Sequence, residues 1–211
     1  MTVEYLRKVA LAGAVATALL AFEPPAAATA PLKTAVIKSA GIAVRYPSAW
    51  TTLRRDPKAL ALQQRQLAKR NPELALHAEQ PAAFLQAAKF RAVDLGAAAA
   101  GRFASNVNVQ VDIQGGFPGS LDEFTNTARS QYEQQGVTIV RLSSVLVSGT
   151  TSYRSDTRAT VARPDGSRLA ARVGQLFVPH NAGSVIITVA TADDAAGAQL
   201  IDTILSGVRR V

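Results

Sequence analysis

Tyr153-Arg154-Ser155-Asp156-Thr157-Arg158-Ala159-Thr160-Val161, the turn Pro164-Asp165-Gly166, and Leu169-Ala170-Ala171-Arg172-Val173-Gly174-Gln175-Leu176-Phe177 together form the stretch that decides the architecture. Both flanks alternate with the period of two expected of strands. Pro-Asp-Gly between them reads as a three-residue hairpin loop with a left-handed glycine. That loop sets Val161 opposite Leu169, Ala159 opposite Ala171 and Tyr153 opposite Phe177. A two-residue Asp-Gly turn would place Val161 opposite Ala170 and scramble the faces. In the three-residue register, Arg154, Arg158 and Arg172 fall on the opposite face with Asp156 among them.

Outward from this hairpin, further strands are predicted over Val137 to Val147 and over Val185 to Thr191, the latter as the last strand. Ser120 and Glu123 form a capping box that opens a helix with Leu121, Phe124, Ala128 and Tyr132 as its apolar stripe, stopped at Gly136. Asp193 or Asp194 caps a final helix that buries Leu200, Ile201, Ile204, Leu205 and Val208. Earlier in the chain, Phe90 to Leu95 and Phe103 to Gln114 read as strands joined by the loop Gly96 to Arg102. In the second, Val107, Val109, Val111 and Ile113 alternate with Asn106, Asn108, Gln110, Asp112 and Gln114. The amide side is expected to be an exposed sheet face, with a polar groove under a helix as the functional alternative.

Asp56-Pro57 starts a helix that runs to about Arg70, and Asn71-Pro72 and Gln80-Pro81 break the region into helical pieces, the last with Phe84, Leu85 and Ala88 inward. Ahead of it, Ala35 to Ser39 and Gly41 to Tyr46 read as two short strands kinked at Ala40-Gly41. Ile42, Val44 and Tyr46 share a face, Pro47 ends the strand and Trp50 enters the core. The rest of the chain is expected to assemble as a sheet against this first strand. The order of elements makes an α+β fold with a mainly antiparallel sheet flanked by helices.

The N-terminus has the marks of a targeting segment. Arg7 and Lys8 precede an uncharged apolar run, Val9 to Phe22, followed by the small residues Ala26 to Ala30. The run is shorter than the ~20 residues that span a bilayer. Residues 1–28 therefore read as a signal peptide, residues 29–211 as one secreted domain, and no membrane-spanning segment is expected in the mature chain. The sequence contains no cysteine and two histidines, which removes disulfide and thiol chemistry and makes His-based metal ligation improbable. Charge is uneven: residues 33–91 hold eleven Lys/Arg against three Asp/Glu, whereas residues 92–211 hold ten of each.

Several of these residues carry a resemblance. Tyr46-Pro47-x-x-Trp50, a helical insert, the Asn106-to-Val109 strand, the Ser120/Glu123-capped helix, Tyr153-Arg154, the Asp165-Gly166 hairpin and a last helix together resemble the PsbP-like fold. That fold, an α/β/α sandwich, is shared by photosystem II extrinsic subunits, a yeast Ran-binding import factor and actinobacterial secreted LpqN-type proteins, to which the similarity is nearest. The resemblance implies a binding or accessory protein without cofactor. LpqN-type proteins are usually lipoproteins, and the missing cysteine implies a freely secreted counterpart.

No catalytic or metal motif emerges. His77-Ala78-Glu79 lacks metalloprotease spacing, Gly115 to Gly119 matches no phosphate loop, and Asp193-Asp194 is a helix cap. The enzymatic alternative is a secreted hydrolase using His180 with a serine and a carboxylate, unsupported by any nucleophile elbow. The binding candidates are Arg54, Arg55, Lys58, Arg65, Lys69 and Arg70, a basic helix side suited to a protein or to an anionic envelope polymer or lipid headgroup. Nucleic acid is disfavoured because aromatics are not interleaved with these charges.

Overall fold

The computed structural model describes residues 31–53, 56, 62, 88–100, 102–113, 116–162, 168–181 and 183–211. In chain order the elements are β1 (Leu32–Ile37), a 3-10 turn (Lys38–Ala40), β2 (Ile42–Pro47), β3 (Thr51–Thr52), β4 (Ala88–Val93), α1 (Leu95–Ala99) and β5 (Asn106–Asp112). Then follow α2 (Leu121–Gln134), β6 (Thr138–Val147), β7 (Thr150–Ala162), β8 (Arg168–His180), β9 (Gly183–Ala192), α3 (Ala195–Ser206) and β10 (Arg209–Arg210). The fold is α+β, and its paired strands are antiparallel.

A seven-stranded sheet runs β3-β4-β5-β9-β8-β7-β6, and a separate three-stranded sheet runs β1-β2-β10. The hairpin register is the one the three-residue loop requires: Val161 faces Leu169, Ala159 faces Ala171 and Tyr153 faces Phe177. The loop residues themselves, 163–167, lie outside the described residues.

The expectation that the main sheet grows from the first strand is overturned. β1 and β2 form a hairpin, turned by Gly41 at φ 61°, and β10 adds to the free edge of β2. This small sheet packs on one face of the large one. Ile42, Val44, Tyr46 and Trp50 join Val107, Val109, Leu176, Val185, Ile187 and Val189 of the large sheet and Ile201, Ile204 and Leu205 of α3 in one core. Lys33 fastens the Tyr46-to-Trp50 turn, donating from Nζ to the Ser48 and Trp50 carbonyls at 3.0 Å each, with its ammonium 5.0 Å from the Tyr46 ring centroid.

Other boundaries also shift. The expected loop after the 90–95 strand contains α1, because the Asp94 carboxylate accepts from Ala97 N at 2.9 Å and starts a helical turn. Ala88, expected on the last helical piece, opens β4. β5 is shorter than its alternation suggested, and Phe103 and Ala104 are buried without belonging to a strand. Ser120 caps α2, accepting from Glu123 N at 3.1 Å, while Glu123 reaches back to Gly119 N at 2.8 Å. The last helix is capped by Asp194, which accepts from Gly197 N at 2.6 Å. The last strand is β10, not the 185–191 segment: its two residues give no alternation to read.

Candidate functional site

The basic candidates Arg54, Arg55, Lys58, Arg65, Lys69 and Arg70 lie outside the described residues, as does His77. His180 ends β8, partly buried opposite Gly183, and no hydrogen bond joins its ring to a serine or carboxylate among the described residues. Among those residues, no group of three or more His, Cys, Asp or Glu is arranged to hold a metal ion.

The amide side of β5 is buried, not exposed. Asn106, Asn108, Gln110 and Asp112 are 2%, 1%, 9% and 5% exposed, while Gln114 lies outside the described residues. Their neighbours across the sheet are polar as well. Arg91 of β4 faces Asn108, which faces Thr188 of β9, then Gln175 of β8 and Ser155 of β7. Tyr132 of α2 enters this row with its hydroxyl 2.7 Å from Gln175 Oε1 and 2.8 Å from Ser155 Oγ. Having one proton, it donates to Gln175 and accepts from Ser155. Gln175 Nε2 in turn donates to Thr188 Oγ1 at 3.1 Å. Beyond Thr188 the chain of bonds stops: both side-chain polar atoms of Asn108 and Oδ1 of Asn106 are buried without a partner among the described residues. Burial alone lowers the Arg91 pKa to about 10, so the guanidinium is still charged at neutral pH. Burial raises Tyr132 from 10.0 to about 12, against the Ser155 bond and with help from the nearby Asp156 charge.

On the opposite face, where α3 packs over β8 and β9, charges gather at the edge of the apolar core. Arg154 and Asp156 alternate along β7, Arg141 of β6 stands opposite Asp156, and Asp202 reaches in from α3. Arg141 and Arg154 each bond to both Asp156 and Asp202, so two arginines and two aspartates close a ring. Burial opposes the charged form of both outer members, yet their partners prevail: the Arg141 pKa is raised and that of Asp202 is lowered. Next to the ring, Arg158 and Arg172 are direct cross-strand partners of like charge. Asp193 stands between them, 3.0 Å from Arg158 Nε and 3.6 Å from Arg172 Nε. The second distance is too long for a hydrogen bond. A cavity of about 290 Å³ opens here, walled by Arg141, Arg154, Arg172, Asp156 and Asp202, with Val140, Ala198 and Ile201 as an apolar side.

Sequence reading placed Arg154, Arg158, Arg172 and Asp156 on one face but missed Arg141, Asp193 and Asp202 as their partners. A signal for Arg141 was available. Ser148 and Gly149 both take positive φ, 48° and 78°, a two-residue turn whose register brings Arg141 to Asp156. Asp202 carried no such signal, since helix-to-sheet docking is not written in a period.

No protein-family profile matches the sequence, and no curated protein matches it significantly. Among solved structures, the chain is similar to cyanobacterial PsbP (CyanoP) from Synechocystis sp. PCC 6803, with a TM-score of 0.50 and 12% identity over 90% of this chain and 98% of that one. The fold is PsbP-like. The Saccharomyces cerevisiae Ran-binding protein Mog1p is also similar, with a TM-score of 0.48 and 10% identity over 87% of this chain and 97% of that one. At such identities the PsbP-like likeness concerns the fold alone, and no residue of either protein is carried over.

Proposed function

We infer that this protein is an exported, non-enzymatic binding or accessory protein whose partner is an anionic component of the cell envelope, polymer or lipid headgroup. Support for export is the segment 1–28, with its basic start, short apolar run and small-residue cleavage site. Residues 29–211 would then be the working domain, a freely secreted counterpart of LpqN-type proteins. Support for binding over chemistry is the composition of both described sites, where arginine, amide and hydroxyl groups dominate and recognition is the work they do best.

The observation that carries the anionic partner is the charge distribution: all the net positive charge of residues 29–211 falls within residues 33–91. A local excess of that kind attracts polyanions at a distance and is weakened by salt. In co-sedimentation, the secreted chain should be retained by anionic vesicles or wall polymer at low ionic strength and released at high. Charge reversal at Arg65, Lys69 and Arg70 should abolish retention. Equal retention of the charge-reversed chain would sink the reading. A pull-down from envelope extract that recovers an acidic protein instead of polymer or lipid would replace the partner.

A further inference from the structure

Among the described residues, the arginine cluster beside α3 is one anion short. Arg141, Arg154, Arg158 and Arg172 face Asp156, Asp193 and Asp202, four cations against three carboxylates. The ring of Arg141, Arg154, Asp156 and Asp202 is balanced within itself. Asp193 is engaged by Arg158 through both of its oxygens, Oδ2 in the ion pair and Oδ1 in a hydrogen bond at 3.1 Å. The unbalanced cation is therefore Arg172. Its side chain is 17% exposed, and its Nε is buried with no hydrogen-bond acceptor among the described residues. Enclosing an arginine without a matched acceptor is costly unless something else supplies one.

The cavity in front of it is suited to do so. The ring uses Nε and Nη2 of Arg141 and Arg154, which leaves Nη1 of each for a further acceptor. About 290 Å³ holds a small organic molecule but no polymer. Val140, Ala198 and Ile201 give the recess one apolar wall beside the three guanidinium groups. A fully hydrated inorganic anion gains nothing from such a wall, whereas the short carbon body of a carboxylate does.

We propose that this recess binds a small organic carboxylate, its oxygens on Arg172 with Arg141 and Arg154 as second contacts and its carbon chain against Val140 and Ile201. The site is separate from the basic segment invoked for envelope binding, and either can stand without the other.

The test follows the arginine Nε–H resonances of the full secreted chain by NMR. The probes are sodium butyrate, inorganic phosphate and chloride, each titrated at constant ionic strength. Butyrate should move the Nε–H signals of Arg172, Arg141 and Arg154 saturably, at concentrations at least about tenfold below chloride, and Arg172→Gln should remove the response of the Arg141 and Arg154 signals while the backbone amide spectrum persists. Saturation by phosphate with none by butyrate would overturn the carboxylate assignment. An unsaturated drift equal to that with chloride would overturn the site, as would an unchanged response in Arg172→Gln. Should Arg172→Gln not fold, Asp202→Asn serves, since Asp202 is 60% exposed. Removing that competing carboxylate should tighten butyrate binding about two- to fivefold, and unchanged or weaker binding counts against the site.

Discussion

Both faces of the seven-stranded sheet are buried, but one is apolar at its centre whereas the other mixes a buried polar row with aromatic and small aliphatic side chains. On one, Val107, Val109, Ile187 and Val189 meet Trp50, Val44 and Ile201, and the charges at its margin sit beside carboxylates. On the other, Arg91, Asn106, Asn108, Thr188, Gln175 and Ser155 are enclosed, with Tyr132 satisfying part of the row and Asn108 left unsatisfied. Apolar burial contributes roughly 25 cal/mol per Å². A neutral hydrogen bond nets only about 1 kcal/mol, while an unmade one costs about 1–3 kcal/mol. The difference teaches that on the second face stability comes from the cluster of Phe103, Ala171, Val173 and Ala190 and from the rings of Phe124, Tyr153 and Phe177, while the polar row between them adds little.

The largest effect should come from removing an anchor of the apolar face. Trp50→Ala should cost about 3–5 kcal/mol in urea unfolding, because Trp50 ties the small sheet to the large one. A loss below about 1 kcal/mol would mean that the two sheets do not share a core, and the contrast would collapse. Next comes the polar face. Tyr132→Phe leaves Gln175 Oε1 without a donor and Ser155 Oγ without an acceptor, a cost of about 1–3 kcal/mol. The same residue gives a pH signature. An unfolded tyrosine ionises near 10.0, and folded Tyr132 not until about 12. Its contribution is thus intact below pH 10.0 and is lost as pH rises towards 12. Ultraviolet titration should show a late-ionising tyrosine that disappears in Tyr132→Phe. The smallest effect should have the opposite sign. Asn108→Leu removes an unpartnered buried amide and should leave stability unchanged or raise it by about 1 kcal/mol. A loss of about 2 kcal/mol or more would show that the amide has a partner in solution, and the contrast between the faces would narrow.

These two faces also mark how far the sequence could be read. The register of Tyr153 to Phe177, the α+β class and the caps at Ser120 and Asp194 were legible, because each depends on residues close in sequence. Alternation in β5 showed which residues share a side, but an amide side was taken for a solvated one. A period of two carries no information on what lies over each face, and here both are covered. The separate β1-β2-β10 sheet was missed for a related reason, since its third strand is only two residues long and pairs with the opposite end of the chain. Of the candidate cavity, the β7 and β8 arginines are in view in the sequence and Arg141 follows from the Ser148-Gly149 hairpin, but Asp202 is brought to them by tertiary packing alone.

The placement of β10 has a kinetic consequence. Arg210 pairs with Ile42, and its amide donates to Ser148 Oγ at 3.0 Å. During folding, the β1–β2 hairpin can form early from local contacts. The open edge of β2 must then wait for Arg209 and Arg210 before it is closed. Contacts of such high sequence separation slow folding and leave an unpaired strand edge exposed in the meantime. Arg209 and Arg210 thus act as a latch on the β2 edge, engaged late because their partners are so distant in sequence.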